Sequence, residues 1–94
     1  MSDLITQQLR IFGRVQGVYY RGWCVETAQR LRLTGWVRNR KDGSVEAVVT
    51  GSSSSVESFV SECYKGPPAA KVETIQMAIG IDEGLENFEQ RETL

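Results

Sequence analysis

Gly13–Arg21 has the sequence GRVQGVYYR, and the rest of the chain is organised around it. This segment has glycines at positions 13 and 17 and no carboxylate, and it ends in an arginine where a helical pattern begins. Glycine accepts positive φ angles, and successive N–H groups in such a turn form a concave site for an anion. The start of a helix adds free N–H donors and the positive end of the helix dipole. With the guanidinium of Arg21, the segment predicts a phosphate-binding loop.

The segments that flank this loop alternate between strand and helix patterns. A strand is predicted at Thr6–Phe12, and a short amphipathic helix is predicted from Arg21 to about Leu33. Two β-prone runs follow at Trp36–Asn39 and Val45–Thr50, with Asp42-Gly43 between them. Because Asp-Gly between two such runs is typical of a hairpin, these two strands are expected to be antiparallel neighbours.

The second half of the chain continues this order. Ser54 and Glu57 form a capping box that predicts a second helix, which ends ahead of Pro67. A longer strand is predicted at Val72–Ile81, and a last β-prone run at Leu85–Arg91. The apolar residues expected on one face of the longer strand are Ile75, Met77, Ile79 and Ile81. The order β-α-β-β-α-β predicts one α+β domain over residues 1–94, a ferredoxin-like split βαβ sandwich with an antiparallel sheet and both helices on one face.

Composition and charge narrow the possible functions. The chain is 40% hydrophobic and 24% charged, with a net charge of -1, which is typical of a globular protein. Its charges are unevenly distributed along the chain. The first half is basic, because residues 1–42 hold eight Lys/Arg and only three Asp/Glu. The glycine loop lies in this basic half, so a small anion is the expected ligand. No apolar run reaches membrane-spanning length and no signal peptide is recognisable, so we expect a cytoplasmic location and no membrane partner.

The chain contains no histidine, which removes the commonest general base and transition-metal ligand. Cys24 and Cys63 lack the spacing of zinc ligands, and we expect both to be buried and reduced. Cys24 and Arg30 have the C-x5-R spacing of cysteine-dependent phosphatases. The segment between them is helical in pattern and lacks glycine, so it cannot form that phosphate cradle. We therefore expect no metal site and no cofactor.

Two segments of the sequence carry a family resemblance. GRVQGVYYR and GWVRNRKDGSVEAVVTG, at Gly35–Gly51, closely resemble the two signature segments of the acylphosphatases, which hydrolyse the carboxyl-phosphate anhydride bond. The resemblance covers the whole chain in length and element order. It implies a metal-free acylphosphate phosphohydrolase in which Arg21 holds the phosphate and Asn39 positions the attacking water. Gln90, where such proteins usually carry an apolar residue, and Arg32, where glycine is common, are departures expected to affect packing more than chemistry.

The chemistry of an acyl phosphate agrees with such a simple site. Its carboxylate is a good leaving group, so an enzyme needs mainly to position water and to stabilise the phosphoryl charge. The side chains of Tyr19 and Tyr20 are expected to pack. The residues expected to be solvated charges are Arg14, Arg38, Arg40 and Lys41. The predicted phosphate-binding residues are Val15, Gln16, Gly17, Val18, Tyr19, Tyr20 and Arg21.

Two functions without chemistry stay open at this point. One is an RNA-recognition module, which shares the architecture, although Val45–Thr50 lacks the aromatic residues of that module's central strand. The other is a regulatory anion sensor. For the enzyme, the expected partners are a small acyl phosphate and inorganic phosphate, with no nucleic acid, and we expect a monomer. Acetyl phosphate, 1,3-bisphosphoglycerate and carbamoyl phosphate share the reacting group, and the sequence does not choose among them.

Overall fold

A five-stranded sheet packs against two helices in the computed structural model, which describes residues 3–94. The strands are β1 (Leu4–Arg14), β2 (Thr34–Asn39), β3 (Val45–Ser52), β4 (Lys71–Ile79) and β5 (Phe88–Gln90). The helices are α1 (Tyr20–Arg30), between β1 and β2, and α2 (Ser53–Cys63), between β3 and β4. The element order predicted from the sequence is therefore confirmed.

The strands lie in the order β4-β1-β3-β2-β5. The pairs β1–β4, β1–β3 and β2–β3 are antiparallel, whereas β5 runs parallel to β2 with Val37 opposite Gln90. The ferredoxin-like α+β class is confirmed, and the sheet is mixed because of this last pair. The directions of β4, β1, β3 and β2 alternate, so β4 and β2 run in opposite directions. The chain reverses direction between β4 and β5, and β5 is therefore parallel to β2.

Alternate side chains of the sheet form the core beneath both helices. Leu9 pairs with Ala47, and Val37 also lies opposite Ala47, so these three residues point to one face. All three are fully buried and share a cluster with helical residues of α1 and α2. The helical members of that cluster are Tyr20, Cys24, Ala28, Val56, Phe59 and Cys63. Both helices therefore cover the same face, as the sequence predicts.

Helix boundaries differ from the prediction at two points. Ser52, not Ser54, is the N-cap of α2, and its hydroxyl accepts a hydrogen bond from the Ser55 N–H at 3.2 Å. The helix begins earlier because β3 leads directly into it and places Ser52 at the junction. Helix α1 spans Tyr20–Arg30 and so ends before Leu33, since Arg32 has a left-handed φ of 60° that terminates helical geometry.

The apolar face predicted for β4 is only partly covered. Ile75 is buried, but Met77 is 54% and Ile79 92% exposed, and Ile81 lies beyond the end of the strand. A nine-residue strand is roughly 30 Å long, whereas an eleven-residue helix such as α2 is roughly 17 Å long. The helix is too short to cover the whole strand, which leaves the last part of this edge in solvent.

Candidate active site

The loop between β1 and α1 has the backbone geometry of an anion site. Gly17 has a φ of 75°, and Tyr19, the N-cap of α1, has a left-handed φ of 68°. The Tyr19 side chain does not cap the helix, and the first turn holds no acidic residue. The main-chain N–H groups of residues 16–21 make no hydrogen bond with other groups of residues 3–94. The loop therefore presents a group of free donors at the positive end of the α1 dipole.

The Tyr19 side chain is 63% exposed, which corrects the expectation that it packs, and contacts with α1 hold Tyr19 in its uncommon conformation. Its hydroxyl donates a hydrogen bond to Oε2 of Glu26 at 2.5 Å, which raises the pKa of Tyr19. The ring lies over Gly22, where an added Cβ would overlap a ring carbon of Tyr19. Gly22 is thus needed for this placement of the ring, a role that the sequence alone did not reveal because it depends on the Tyr19 rotamer.

Tyr20 packs beneath the loop, as predicted. Its side chain is buried, and its hydroxyl donates a hydrogen bond to the main-chain oxygen of Cys63 at 2.5 Å. Burial raises the pKa of Tyr20, so the phenol stays protonated and keeps donating this bond. The first residue of α1 is therefore attached to the last residue of α2.

The Gln16 side chain joins the loop to the hairpin between β2 and β3. Its Nε2 donates hydrogen bonds to the main-chain oxygens of Arg40 and Ser44, each at 2.8 Å. The sequence predicts Gln16 only as a phosphate-binding residue. Its side chain instead connects the loop to the turn that follows Asn39, which leaves its main-chain N–H for a ligand.

A cavity of about 280 Å³ opens beside this loop. Among the predicted phosphate-binding residues, Val18 does not line it. Arg21 is the one charged residue in its lining, and within residues 3–94 the guanidinium has no ion pair or hydrogen bond. The cavity is lined by Val15, Gln16, Gly17, Tyr19, Tyr20, Arg21, Gly22, Asn39 and Gln90. The structure thus brings the predicted residues Arg21 and Asn39 to one cavity.

Asn39 ends β2 and is 9% exposed. Its main chain is fixed by pairing with Val45 and by the Leu94 N–H, which donates to its carbonyl at 3.2 Å. Its side-chain Oδ1 is buried and has no hydrogen-bond partner in the described chain. Leaving a buried polar atom unpaired costs about 1–3 kcal/mol, so this oxygen is an unused acceptor on a residue that lines the cavity.

Gln90 also lines the cavity, and this corrects the expectation that it matters mainly for packing. Phe88, two residues earlier in β5, is buried on the helical side of the sheet. Because side chains alternate along a strand, Gln90 faces that same side. The sequence did not indicate this position, since it depends on the parallel pairing of β5 with β2.

The cations of the hairpin are paired, which corrects the expectation for Arg38 and Arg40. Both contact Oε1 of Glu46, at 2.9 Å for Arg38 Nε and 3.1 Å for Arg40 Nη1. Burial alone would raise the pKa of Glu46, but hydrogen bonds from Arg38 and Gln8 outweigh it and lower the pKa. Arg14 and Lys41 are exposed, as predicted. The cluster holds the hairpin that carries Asn39 and leaves Arg21 available in the cavity.

The cysteine-dependent alternative finds no geometric support. Cys24 is buried and unlinked, and burial raises the pKa of its thiol, which disfavours a thiolate nucleophile. Arg30 is paired with Glu62 at 2.6 Å. Within residues 3–94, no group of three or more His, Cys, Asp or Glu residues could hold a metal ion. Neither helix of this part of the chain is long and apolar enough to span a membrane.

A sequence profile of the acylphosphatases matches residues 7–89. The chain belongs to the acylphosphatase family. It is 49% identical over 90 residues to an acylphosphatase of Acidovorax sp., an alignment that covers 96% of this chain and 93% of that protein. Solved acylphosphatase structures agree with the fold: that of Coxiella burnetii has a TM-score of 0.90 at 31% identity and covers 95% of this chain and 94% of its own. That of Bacillus subtilis has a TM-score of 0.88 at 35% identity and covers 94% and 98%.

Acylphosphatase activity follows from this membership, as the sequence resemblance implies. The chain hydrolyses the carboxyl-phosphate bond of an acyl phosphate, and the products are a carboxylate and inorganic phosphate. The family therefore favours the enzyme over the two binding functions that the sequence left open.

Proposed function

We propose that the acylphosphatase reaction takes place in the cavity beside the β1–α1 loop, with Arg21 and the loop holding the phosphoryl group and Asn39 positioning the attacking water. One observation carries this proposal: Asn39, whose buried Oδ1 has no partner within residues 3–94, lines the same cavity as Arg21, whose guanidinium is also unpaired in that part of the chain. The unpaired oxygen of Asn39 can accept a hydrogen bond from a water molecule, and the unpaired guanidinium of Arg21 can bind an anion.

The phosphoryl group is held by donors of two kinds. The free N–H groups of residues 16–21 converge at the start of α1 and donate to non-bridging oxygens. Arg21 adds a planar pair of N–H donors and the positive charge that compensates the phosphoryl group. These donors are oriented before substrate arrives, so they stabilise charge in the transition state without reorganisation.

Asn39 contributes orientation. Its Oδ1 accepts a hydrogen bond from a water molecule and directs the water's lone pair at phosphorus, opposite the leaving carboxylate. An amide does not titrate near neutral pH, so Asn39 takes no proton. No strong base is needed, because the transition state of phosphoryl transfer is loose and the carboxylate is a good leaving group. The P–O bond to the acyl oxygen breaks with its electron pair on the carboxylate, as the water oxygen bonds to phosphorus and its proton is released to solvent.

An NMR titration with inorganic phosphate tests the binding half of this proposal. We expect the largest amide shifts at residues 15–21, together with a shift of the Asn39 side-chain NH₂ signal. Residues 75–79 of β4, which lie at the opposite edge of the sheet from β5 and pair with β1 away from the loop, serve as an internal control and should not shift. Shifts confined to residues 43–94 would contradict the assignment of this cavity.

A further inference from the structure

Gln90 differs from the other exposed residues that line the cavity. Its side chain is exposed and makes no hydrogen bond within residues 3–94, so both its carboxamide donors and its acceptor are available. Tyr19 is also exposed, but its hydroxyl is already bonded to Glu26. Gly17 has no side chain. Among the exposed residues of the lining, Gln90 is therefore the one whose side chain has free hydrogen-bonding groups.

The position of the acyl group follows from the arrangement proposed above, on which this inference rests. Attack on phosphorus is in line, so the leaving carboxylate points away from the water. Asn39, which holds that water, is buried. The acyl group then extends away from Asn39, and Gln90 is the exposed residue of the same lining whose side chain has free hydrogen-bonding groups.

We infer that the Gln90 carboxamide contacts the acyl group of the bound substrate and favours acyl phosphates that carry an uncharged hydrogen-bonding group on the carbonyl carbon. A carboxamide offers two donors and an acceptor but no charge. It therefore stabilises an acyl group that can donate a hydrogen bond to it or accept one from it. An apolar acyl group of equal size gains nothing from this contact and must displace water from the amide.

Carbamoyl phosphate and acetyl phosphate form a matched pair of probes, because they differ by an NH₂ group in place of a CH₃ group of similar size. The experiment measures kcat/KM for both in the wild type and in Gln90→Leu, which keeps the side-chain size and removes the amide. We expect the carbamoyl-to-acetyl ratio to fall about 3- to 10-fold in Gln90→Leu, the effect of one net hydrogen bond. The rate with acetyl phosphate should not fall, because its methyl group gains no hydrogen bond from the amide, and the inhibition constant of inorganic phosphate should stay within about 2-fold, because phosphate has no acyl group.

Gln76→Leu is the matched control, since Gln76 is exposed on β4 at the other edge of the sheet. Its ratio should equal that of the wild type. An unchanged ratio in Gln90→Leu would overturn the inference, and an equal loss with both substrates would assign Gln90 to the phosphoryl group or the water. The proposed phosphate site itself is tested separately in the wild-type protein. It would be overturned if inorganic phosphate neither inhibited the enzyme nor shifted the amide signals of the loop.

Discussion

Gln16 Nε2 lies 2.8 Å from the main-chain oxygen of Ser44, and this hydrogen bond joins the phosphate-binding loop to the hairpin that carries Asn39. A second bond of the same length, to the main-chain oxygen of Arg40, makes the connection rigid. In the proposed reaction the loop holds phosphorus and Asn39 holds water. The distance between the two reactants therefore depends on one side chain that touches neither of them.

Replacing Gln16 tests this connection. We expect Gln16→Leu to reduce kcat roughly 10-fold or more, because small misplacements of reactants are costly, while phosphate affinity changes less. Two hydrogen bonds of about 0.5–1.5 kcal/mol each are lost, so the free energy of unfolding should also fall by about 1–3 kcal/mol, although both carbonyls keep a main-chain donor. Gln7→Leu is the control, since Gln7 also donates to a main-chain oxygen, that of Ala78, far along β1 from the loop. A normal kcat in Gln16→Leu would show that the sheet alone sets the geometry.

Arg21 is expected to need its planar shape as well as its charge. Arg21→Lys keeps the charge and loses the two parallel donors, so we expect it to fail nearly as badly as Arg21→Ala, with kcat/KM reduced roughly 10²-fold or more in both. Stability should change little, because the guanidinium has no partner within residues 3–94. Steady-state kinetics and thermal unfolding measure the two effects. Arg30→Lys, at the other end of α1, is the control, and wild-type rates in Arg21→Lys would show that charge alone suffices.

Asn39 separates catalysis from binding. We expect Asn39→Ala to lose roughly 10²-fold or more in kcat, whereas inorganic phosphate still binds within a few-fold of the wild type. Asn39→Asp should not restore the rate, since a carboxylate beside the phosphoryl group repels the substrate. The alanine variant should be at least as stable as the wild type, because it removes an unpaired buried oxygen. If kcat and phosphate affinity fall together, Asn39 is a binding residue and another group positions the water.

Activity is expected to be independent of divalent cations. Among residues 3–94, no carboxylate lines the cavity, and carboxylates are the side chains with which proteins usually bind Mg²⁺. The charge of the phosphoryl group is compensated instead by Arg21 and the N–H groups of the loop. Initial rates should be equal with and without excess chelator. Loss of activity that added Mg²⁺ or Mn²⁺ restores would overturn this mechanism.

Glu46 should make stability depend on pH in the acid range. Burial raises its pKa, but the bonds from Arg38 and Gln8 outweigh this and lower it below the ordinary value of 4.5. The unfolded chain then binds the proton more readily, so the contribution of Glu46 is present above pH 4.5 and is lost as the pH falls through the lower, folded pKa. Denaturant titrations should show that Glu46→Gln is less stable than the wild type at pH 7, and that the gap narrows on acidification. A constant gap would contradict this linkage.

Local patterns were sufficient to predict most of the fold. Asp42-Gly43 indicates its hairpin directly, and the apolar periodicity places both helices. The cap of α2 was misplaced, because consecutive serines are chemically alike and only the length of β3 selects Ser52. The exposure of Ile79 was also not foreseeable, since it depends on how far α2 extends over the sheet.

Only those parts of the site that are formed by one contiguous segment of sequence could be predicted. The loop could be recognised from its glycines and Arg21, whereas Asn39 on its residues alone resembled a turn residue and was identified through the family resemblance. Gln90 and the side chain of Gln16 escaped prediction for one reason. Their roles depend on contacts with segments distant in the sequence, and no local pattern encodes such contacts.

The strand order also has a kinetic consequence. Among the strands of residues 3–94, only β2 and β3 are neighbours both along the chain and in the sheet, and the other pairs join distant segments. Domains dominated by such non-local pairing fold slowly, because the entropy cost of closing a long loop comes before the contacts that stabilise it. The cavity includes Gln90 of β5, which reaches β2 only after the chain has crossed the sheet from β4. During refolding, the preference for carbamoyl over acetyl phosphate should therefore appear later than the fluorescence change that reports burial of the core. The delay between the two signals would measure how long β5 takes to pair with β2.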